Sequence, residues 1–192
     1  MLKKTLIALT MIFLFVSISA CTLFGSQVTI GDNERGVVAD DQGNLQVLQP
    51  GTHALSPFAG ETTIYPLTDQ VYTMTGQPGI DDDVVLGNDA VEARSKDGRQ
   101  LWIDAAVTFH FVESKLIDVR RTWQTPDRFL KGFIRPTTRN VIYNTAGQFN
   151  YEEVVSSKRS EVEEVIRQKL AEEFSRQGAE LVKFSLLDVR GE

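Results

Sequence analysis

The chain has 192 residues, which allows one domain with a substantial core plus an anchor, or two small domains. Its 20 basic and 26 acidic residues give a formal net charge of -6, and without Lys3 and Lys4 the remainder carries about -8. This acidity argues against nucleic acid or an anionic lipid surface as the main partner. One Cys and two His provide neither an intramolecular disulfide nor a convincing transition-metal site, so we expect no cofactor.

Residues 1–24 have the pattern of a targeting segment. Lys3 and Lys4 precede an uncharged run from Thr5 to Phe24, which places the chain that follows outside the cytoplasmic membrane. Two fates remain open, and both tether the chain to a membrane. Ile18 to Cys21 resemble the lipobox of bacterial lipoproteins, in which the cysteine, here Cys21, is lipidated and becomes the new N-terminus. Alternatively, at about 1.5 Å per residue, the run is just long enough to span a bilayer as an uncleaved signal anchor.

Residues 28–112 have the composition of a β-rich half. A short strand begins at Val28, a second covers Gly36 to Ala39, and a hairpin turn is expected at Asp40 to Asn44. The runs Thr62 to Tyr65 and Gln70 to Met74 are rich in β-branched and aromatic residues, which favour strands. We therefore expect a small twisted sheet, mostly antiparallel.

The segment from Thr75 to Asp89 has the glycines and polar residues of a loop. It contains three consecutive carboxylates, Asp81 to Asp83, which invite a calcium hypothesis. The ligand and glycine spacing of an EF-hand loop is absent. A solvated acidic loop is the better interpretation.

The stretch from Val91 to Phe111 is predicted to form one β-hairpin, because apolar residues occupy every second position from Leu101 onward. A two-residue turn at Asp97 and Gly98 would place Ala93 opposite Trp102. A three-residue loop, with Gly98 in the left-handed conformation, instead places Ala93 opposite Leu101 and Val91 opposite Ile103. We predict the second register, since it brings the apolar residues of both arms to one face.

Residues 113–190 change to a period of about 3.6 and predict a helical half that ends in a strand. Ser114 can cap a short helix through Thr122, and Thr125-Pro126-Asp127 is a strong start for a second helix. Pro136 predicts a kink or break near Ile134 to Arg135. The side chains of this second helix that we expect in the core are Phe129, Phe133, Ile134, Val141 and Ile142.

The longest helix is expected from about Ser157 to Arg176, after a short turn from Tyr151 to Val155 that Asn150 can cap. Its buried stripe is predicted to be Val162, Ile166, Leu170 and Phe174, and Gly178 is expected to end it with a left-handed cap. The run from Ala179 to Val189 alternates and predicts a strand with Val182, Phe184 and Leu186 on the covered face. We expect this strand to pair with Leu101 to Phe111.

Six stretches of the chain resemble the prohibitin and stomatin superfamily, also known as the band 7 or SPFH domain, with prohibitins as the nearest subfamily. They are ERGVV (34–38), LQPGTHALSPF (48–58), YPLTDQVYTM (65–74), ARSKDGRQLWIDAAVTF (93–109), YEEVVSSKRSEVEEVI (151–166) and GAELVKFSLLDV (178–189). The resemblance implies an α+β SPFH domain over residues 28–190, in which an N-terminal sheet precedes helices and a C-terminal strand that returns to the sheet.

The resemblance further implies a membrane-anchored scaffold, and Lys3 and Lys4 before the apolar run place it on the extracytoplasmic side of a bacterial cytoplasmic membrane. It would associate with itself or a related SPFH protein, contact membrane lipid, organise membrane patches and regulate partners such as a membrane AAA protease. Prohibitins usually continue into a long coiled coil after the final strand, whereas this sequence ends at Glu192, so a shortened version and a truncated chain both fit. The lipobox-like Cys21 also differs from the usual anchor of the family.

The sequence contains no motif for enzymatic chemistry. There is no Gly-x-Ser-x-Gly elbow, phosphate-binding loop or dinucleotide fingerprint. His53 and His110 lack a partner nucleophile, and we expect both to be structural or surface residues rather than general bases. The sequence thus indicates a non-catalytic protein. A monomeric ligand-binding or adaptor lipoprotein is the alternative function, and within the domain Asp97 and Gly98 are expected to be a structural turn.

Overall fold

The computed structural model describes residues 26–76 and 89–191. Cys21, with the rest of the targeting segment 1–24, and the acidic run Asp81 to Asp83 lie outside the described residues. The anchor and the acidic loop therefore stay predictions. The chain divides into two compact units, Met1–Ile64 and Tyr65–Glu192.

The first unit is built from short strands, in agreement with the turn-rich sequence. Strand β1 pairs antiparallel with β4, β2 pairs antiparallel with β3, and a three-stranded sheet has the order β3–β2–β5. Its core contains Ile30, Val38 and Leu48, with Leu55 and Ala59 packed against them. The strands are β1 (Gln27–Ile30), β2 (Glu34–Ala39), β3 (Leu45–Leu48), β4 (Gly51–Ala54) and β5 (Thr63–Pro66), which leads into the second unit.

The second unit is organised around one long strand, β8 (Gln100–Phe111). The last strand, β9 (Ala179–Gly191), pairs antiparallel with β8 from Leu101 to Phe111, as predicted. On the other edge of β8, β7 (Val91–Arg94) covers its first residues and β6 (Gln70–Met74) covers Ala105 to Phe109, both antiparallel. Because β8 is paired on both edges, its apolar side chains can be fully enclosed on one face.

The β7–β8 hairpin has the register of a three-residue loop. Val91 lies opposite Ile103 and Ala93 opposite Leu101. The Ser95 amide donates to the Arg99 carbonyl at 3.0 Å, and the Gly98 amide donates to the Ser95 carbonyl at 2.9 Å. Gly98 has a φ of 86°, a left-handed conformation that costs glycine little and other residues more.

The first helices follow the sequence pattern except at one cap. Helix α1 (Leu116–Trp123) begins after a 3₁₀ turn, Glu113–Lys115, and no side chain caps either start. The prediction that Ser114 caps this helix is wrong, because Ser114 lies inside the 3₁₀ turn rather than at the extended position before a helix. Helix α2 (Pro126–Phe129) begins as predicted, with the Thr125 hydroxyl accepting a bond from the Arg128 amide at 3.2 Å.

The predicted break near Pro136 takes the form of a wide turn. A π-helical turn, Leu130–Ile134, separates α2 from α3 (Arg135–Ala146), and Pro136 lies at the start of α3. A π turn there removes the need for the bond that proline cannot donate. Phe129, Ile134 and Ile142 are fully enclosed, whereas Val141 is only half-buried, so its assignment to the core was wrong.

The longest helix, α4 (Arg159–Arg176), begins two residues later than predicted because a second π-helical turn, Glu153–Ser157, precedes it. The Asn150 backbone amide donates to the Glu153 carboxylate at 2.9 Å at the start of that turn. Gly178 ends α4 with a φ of 87°, as predicted. The predicted stripe is confirmed, with at most 1% of any side chain exposed: Val162, Ile166, Leu170 and Phe174.

Two β-bulges in β9 correct one prediction. The partners of β8 step from Asp188 to Leu186 and from Lys183 to Leu181, so Leu187 and Val182 are left outside the pairing. Val182 was expected beside Phe184 on the covered face, but the bulge displaces it from the alternation and leaves it 48% exposed. Phe184 and Leu186 stay buried, because each bulge restores the alternation with β8.

The helices and β8 enclose an aromatic core. Phe109 and Phe111 from β8 meet Phe129 at centroid distances of 6.2 and 5.1 Å, and Phe174 from α4 lies 6.0 Å from Phe109. Burial of each such side chain contributes roughly 1.5 to 3 kcal/mol. These contacts fix α2 and α4 on the face of the sheet that β8 presents.

Replacing Gly98 by valine tests the hairpin loop. No atom lies within 4 Å of a Cβ added there, so the cost comes from the left-handed backbone alone. We expect Gly98→Val to lower the free energy of unfolding by about 1 to 2 kcal/mol or more, measured by urea titration of the full chain. Lys96→Val, at a loop position with ordinary φ, is the control, and equal stability of the two variants would contradict the loop assignment.

Candidate interaction surfaces

The loop containing Asp97 and Gly98 contacts the connection between α3 and α4. The Lys96 amide donates to the Phe149 carbonyl at 2.8 Å, and the Asp97 carboxylate accepts from the Tyr151 amide at 2.9 Å. Bonds from Ser95 and from the Tyr151 amide lower the pKa of Asp97. The Arg99 guanidinium lies 3.4 Å above the Tyr151 ring, a cation–π contact. Both turn residues are thus engaged in structure, and neither presents a reactive group to a cavity.

A buried carboxylate ties β6 and α3 together. Asp89, whose side chain is 5% exposed, accepts from Arg135 Nη2 at 2.6 Å and Arg139 Nη1 at 2.8 Å. The Tyr72 hydroxyl donates to the same carboxylate. Burial, then the bond to Asp89, raises the pKa of Tyr72, and the carboxylate likewise raises the pKa of Arg135. The sequence did not reveal this network, because its members lie far apart and follow no local pattern.

A second ion pair fixes the C-terminal strand. Arg190 on β9 donates from Nη1 and Nη2 to the two Asp104 oxygens at 2.7 and 2.8 Å, while Asp188 accepts from Nη1 at 2.8 Å. The Gly76 amide also donates to Asp104, at 3.2 Å. Both oxygens of the Asp104 carboxylate therefore have hydrogen-bond partners within the fold. These bonds hold β9 against β8.

Both histidines contact oxygen atoms of neighbouring groups in the fold. His53 Nε2 lies 2.7 Å from the Gln49 carbonyl, and His110 Nδ1 lies 3.1 Å from Asp69. The other nitrogen of His110 lies 3.5 Å from Glu180, so carboxylates flank it on both sides. Over residues 26–76 and 89–191, no group of three His, Cys, Asp or Glu side chains is placed to hold a metal ion.

The turn after α1 is held in a strained conformation. Gln124 has a φ of 68°, which non-glycine residues rarely adopt unless their surroundings enforce it. Its carbonyl accepts from the Tyr65 hydroxyl at 2.8 Å and from Arg120 Nη1 at 3.0 Å, and its side-chain oxygen accepts from Arg128. Two guanidinium groups therefore donate to one neutral residue. We call Gln124 with Arg120 and Arg128 the Gln124 turn. Glutamine is not a typical turn-forming residue, so no sequence pattern marks this turn.

A surface in the first unit combines acidic groups with an exposed aromatic ring. Asp41 accepts from the Ser56 hydroxyl at 2.8 Å, which ties the β2–β3 turn to the loop that follows β4. Phe58 on that loop is 82% exposed. A groove of about 330 Å³ lies between the two loops and is lined by Asp40, Asp41, Gln42, Gln46, Ala54, Leu55, Ser56 and Ala59. We call this the Phe58 surface.

Loss of Asp89 should leave two arginines without their counter-charge. We expect Asp89→Ala to lower the free energy of unfolding by on the order of 3 kcal/mol, measured by urea titration, because breaking a buried ion pair on one side is costly. Asp118→Ala is the matched control, since its pair with Arg121 is exposed and should be worth no more than about 1 kcal/mol. Equal losses of unfolding free energy in the two variants would show that the ion pairs of Asp89 contribute no more than an exposed pair.

Replacing Tyr65 by phenylalanine tests how the Gln124 turn is held. The variant loses the bond to the Gln124 carbonyl, and we expect about 1 kcal/mol of destabilisation in urea titrations at pH 7. Burial raises the pKa of Tyr65 from 10.0 to about 12. The contribution of the hydroxyl is therefore complete below pH 10 and lost as the pH rises to 12. A difference between wild type and variant that stays constant across this window would contradict the assignment.

Comparison with known proteins agrees with this architecture. Among the helices of the described part of the chain, none has the length and apolarity needed to cross a membrane. No curated protein matches the chain in sequence. The model of the SPFH domain / Band 7 family matches residues 28–191, nearly all of the sequence after the targeting segment. Proteins of this family are in general membrane-associated, non-enzymatic scaffolds that typically self-oligomerise. The α+β fold and the match together show that the chain belongs to the SPFH domain / Band 7 family.

Proposed function

We propose that the protein is a membrane-anchored, prohibitin-like scaffold that oligomerises outside the cytoplasmic membrane of a bacterium. In this role it organises membrane patches or regulates membrane proteins, for which a membrane AAA protease is the candidate partner. The observation that carries the proposal is the family match over residues 28–191. A scaffold is also consistent with polar groups such as Asp89, Asp104 and Asp97, which are bonded within the fold rather than displayed in a cleft.

The anchor follows from the targeting segment at residues 1–24 and has two versions. In the lipoprotein version Cys21 carries the lipid, and in the signal-anchor version the run from Thr5 to Phe24 stays in the bilayer. Growth of cells with radioactive palmitate separates them. Label that disappears in Cys21→Ala supports the lipoprotein version, and a chain that is unlabelled yet retained in the membrane supports the signal anchor.

Mass measurement on the full chain tests the scaffold. Extracted in a mild detergent, the protein should appear as assemblies of several copies, because an SPFH scaffold works by self-association. Light scattering coupled to size separation gives the mass after correction for the bound detergent. A strictly monomeric full-length protein across micromolar concentrations would contradict the proposal and would favour the monomeric ligand-binding or adaptor alternative.

A further inference from the structure

We propose that copies of the chain associate head to tail, with the Phe58 surface of one copy bound to the Gln124 turn of the next. The inference rests on the proposed self-association and names the surfaces that would carry it. Because the two surfaces differ, the contact is heterologous, and such contacts continue from copy to copy into rings or open arrays. The partner is therefore a second copy of this chain.

Charge is unevenly distributed along the chain, so that one surface is acidic and the other is basic. Residues 26–64 contain five acidic residues and one basic residue, whereas residues 113–150 contain seven basic and three acidic residues. The protein as a whole is acidic, so a basic helical segment stands out against the net charge of -6. Opposite potentials on two surfaces of one chain steer identical copies toward each other in one orientation.

Within residues 26–76 and 89–191, no carboxylate forms an ion pair with the positive charges at the Gln124 turn. Arg120 donates to the Gln124 carbonyl and Arg128 donates to the Gln124 side-chain oxygen, and both acceptors are neutral. Arg121 and Lys131 nearby are paired with Asp118 and Asp127 instead. The bonds to Gln124 thus position the two guanidinium groups without cancelling their charge, and Arg128 is exposed.

The negative charges at the Phe58 surface are similarly available. Asp40 accepts from the Asn44 and Gln42 amides and Asp41 accepts from Ser56, all neutral donors. Hydrogen bonds, chiefly from Asn44, lower the pKa of Asp40, which keeps that carboxylate ionised. The Gly60 amide donates to the Ala39 carbonyl at 3.0 Å, which brings the exposed Glu61 to the same region.

Phe58 supplies the apolar element of the contact. Phe58 is 82% exposed, and the bond from Ser56 to Asp41 ties its loop to the neighbouring turn. Guanidinium groups stack on aromatic faces and pair with carboxylates at once. Asp40 and Asp41 line the groove of about 330 Å³, and Phe58 lies on one of the two loops that border it. The Phe58 surface therefore offers both a carboxylate and an aromatic face to an arginine such as Arg128 of the next copy.

Charge reversal in the full-length protein tests the pairing. In mild detergent, Arg128→Glu and Asp41→Lys/Glu61→Lys should each raise the concentration needed for half-assembly at least about tenfold, and Phe58→Ser should do the same. Raising the salt from 0.1 to 0.5 M should weaken wild-type assembly, since exposed charges are screened. Arg167→Glu, an exposed charge reversal on α4, and Val71→Ser, an exposed apolar site at 67%, are controls that should assemble normally.

Mixing the variants distinguishes a heterologous contact from general charge repulsion. An Arg128→Glu copy keeps its Phe58 surface and an Asp41→Lys/Glu61→Lys copy keeps its Gln124 turn. In an equimolar mixture both kinds of contact between unlike copies join opposite charges, so the mixture should regain longer assemblies that neither variant forms alone. The triple variant that carries both changes should regain them as well. Unchanged melting temperatures of the variants establish that folding is intact, and Phe58→Ser gives a readout independent of charge.

The outcomes separate this inference from the proposed function. Wild-type assembly that Arg128→Glu, the acidic variant and Phe58→Ser all leave unchanged overturns the interface and leaves the scaffold standing. A monomeric wild type overturns both. If Arg128→Glu instead abolishes binding to vesicles with anionic lipid while assembly stays normal, the basic surface is a lipid contact and the pairing is wrong.

Discussion

The antiparallel ladder between β8 and β9 is the interaction on which the second unit depends. It joins residues 101–111 to residues 179–191 across most of the unit's sequence, so its formation closes a long loop that contains helices α1 to α4. In return it lets β8 bury one complete face against Phe129, Phe174 and their neighbours. The two bulges keep this face in phase over eleven β8 residues, at the cost of exposing Val182 and Leu187.

Polar groups fix the positions at which other elements meet this ladder. Arg190 and Asp104 connect β9 to β8 and to the end of β6, while Asp89 binds α3 through two arginines. The hairpin loop holds the α3–α4 connection through Asp97 and Lys96. Because these carboxylates are occupied by structural donors, the fold is suited to presenting fixed surfaces and has no obvious reactive centre among the described residues.

Local sequence patterns predicted much of this fold, whereas features that depend on contacts between distant residues were not predicted. Alternation in β8 and a glycine suited to positive φ were enough to select the three-residue hairpin loop, and the spacing by four residues predicted the buried face of α4. Val182 could not be placed, because a bulge interrupts the alternation without any residue that marks it. Ser114 has a capping side chain, but the 3₁₀ turn around it removes the geometry that capping requires. The sequence did not predict the candidate surfaces, because only tertiary contacts bring other groups to Gln124 and to the loop that carries Phe58.

The charges of the chain connect this structure to self-association. A family of scaffolds needs surfaces that recognise another copy, and here a strained turn holds two guanidinium groups while a separate unit holds carboxylates beside an exposed ring. The most direct test is oxidative cross-linking in native membranes of a full chain carrying Gln42→Cys in the groove of the Phe58 surface and Thr122→Cys beside the Gln124 turn, which leaves Phe58 and Arg128 in place. We predict a ladder of covalently linked copies that requires both substitutions. A chain that stays monomeric with both cysteines present would contradict the account.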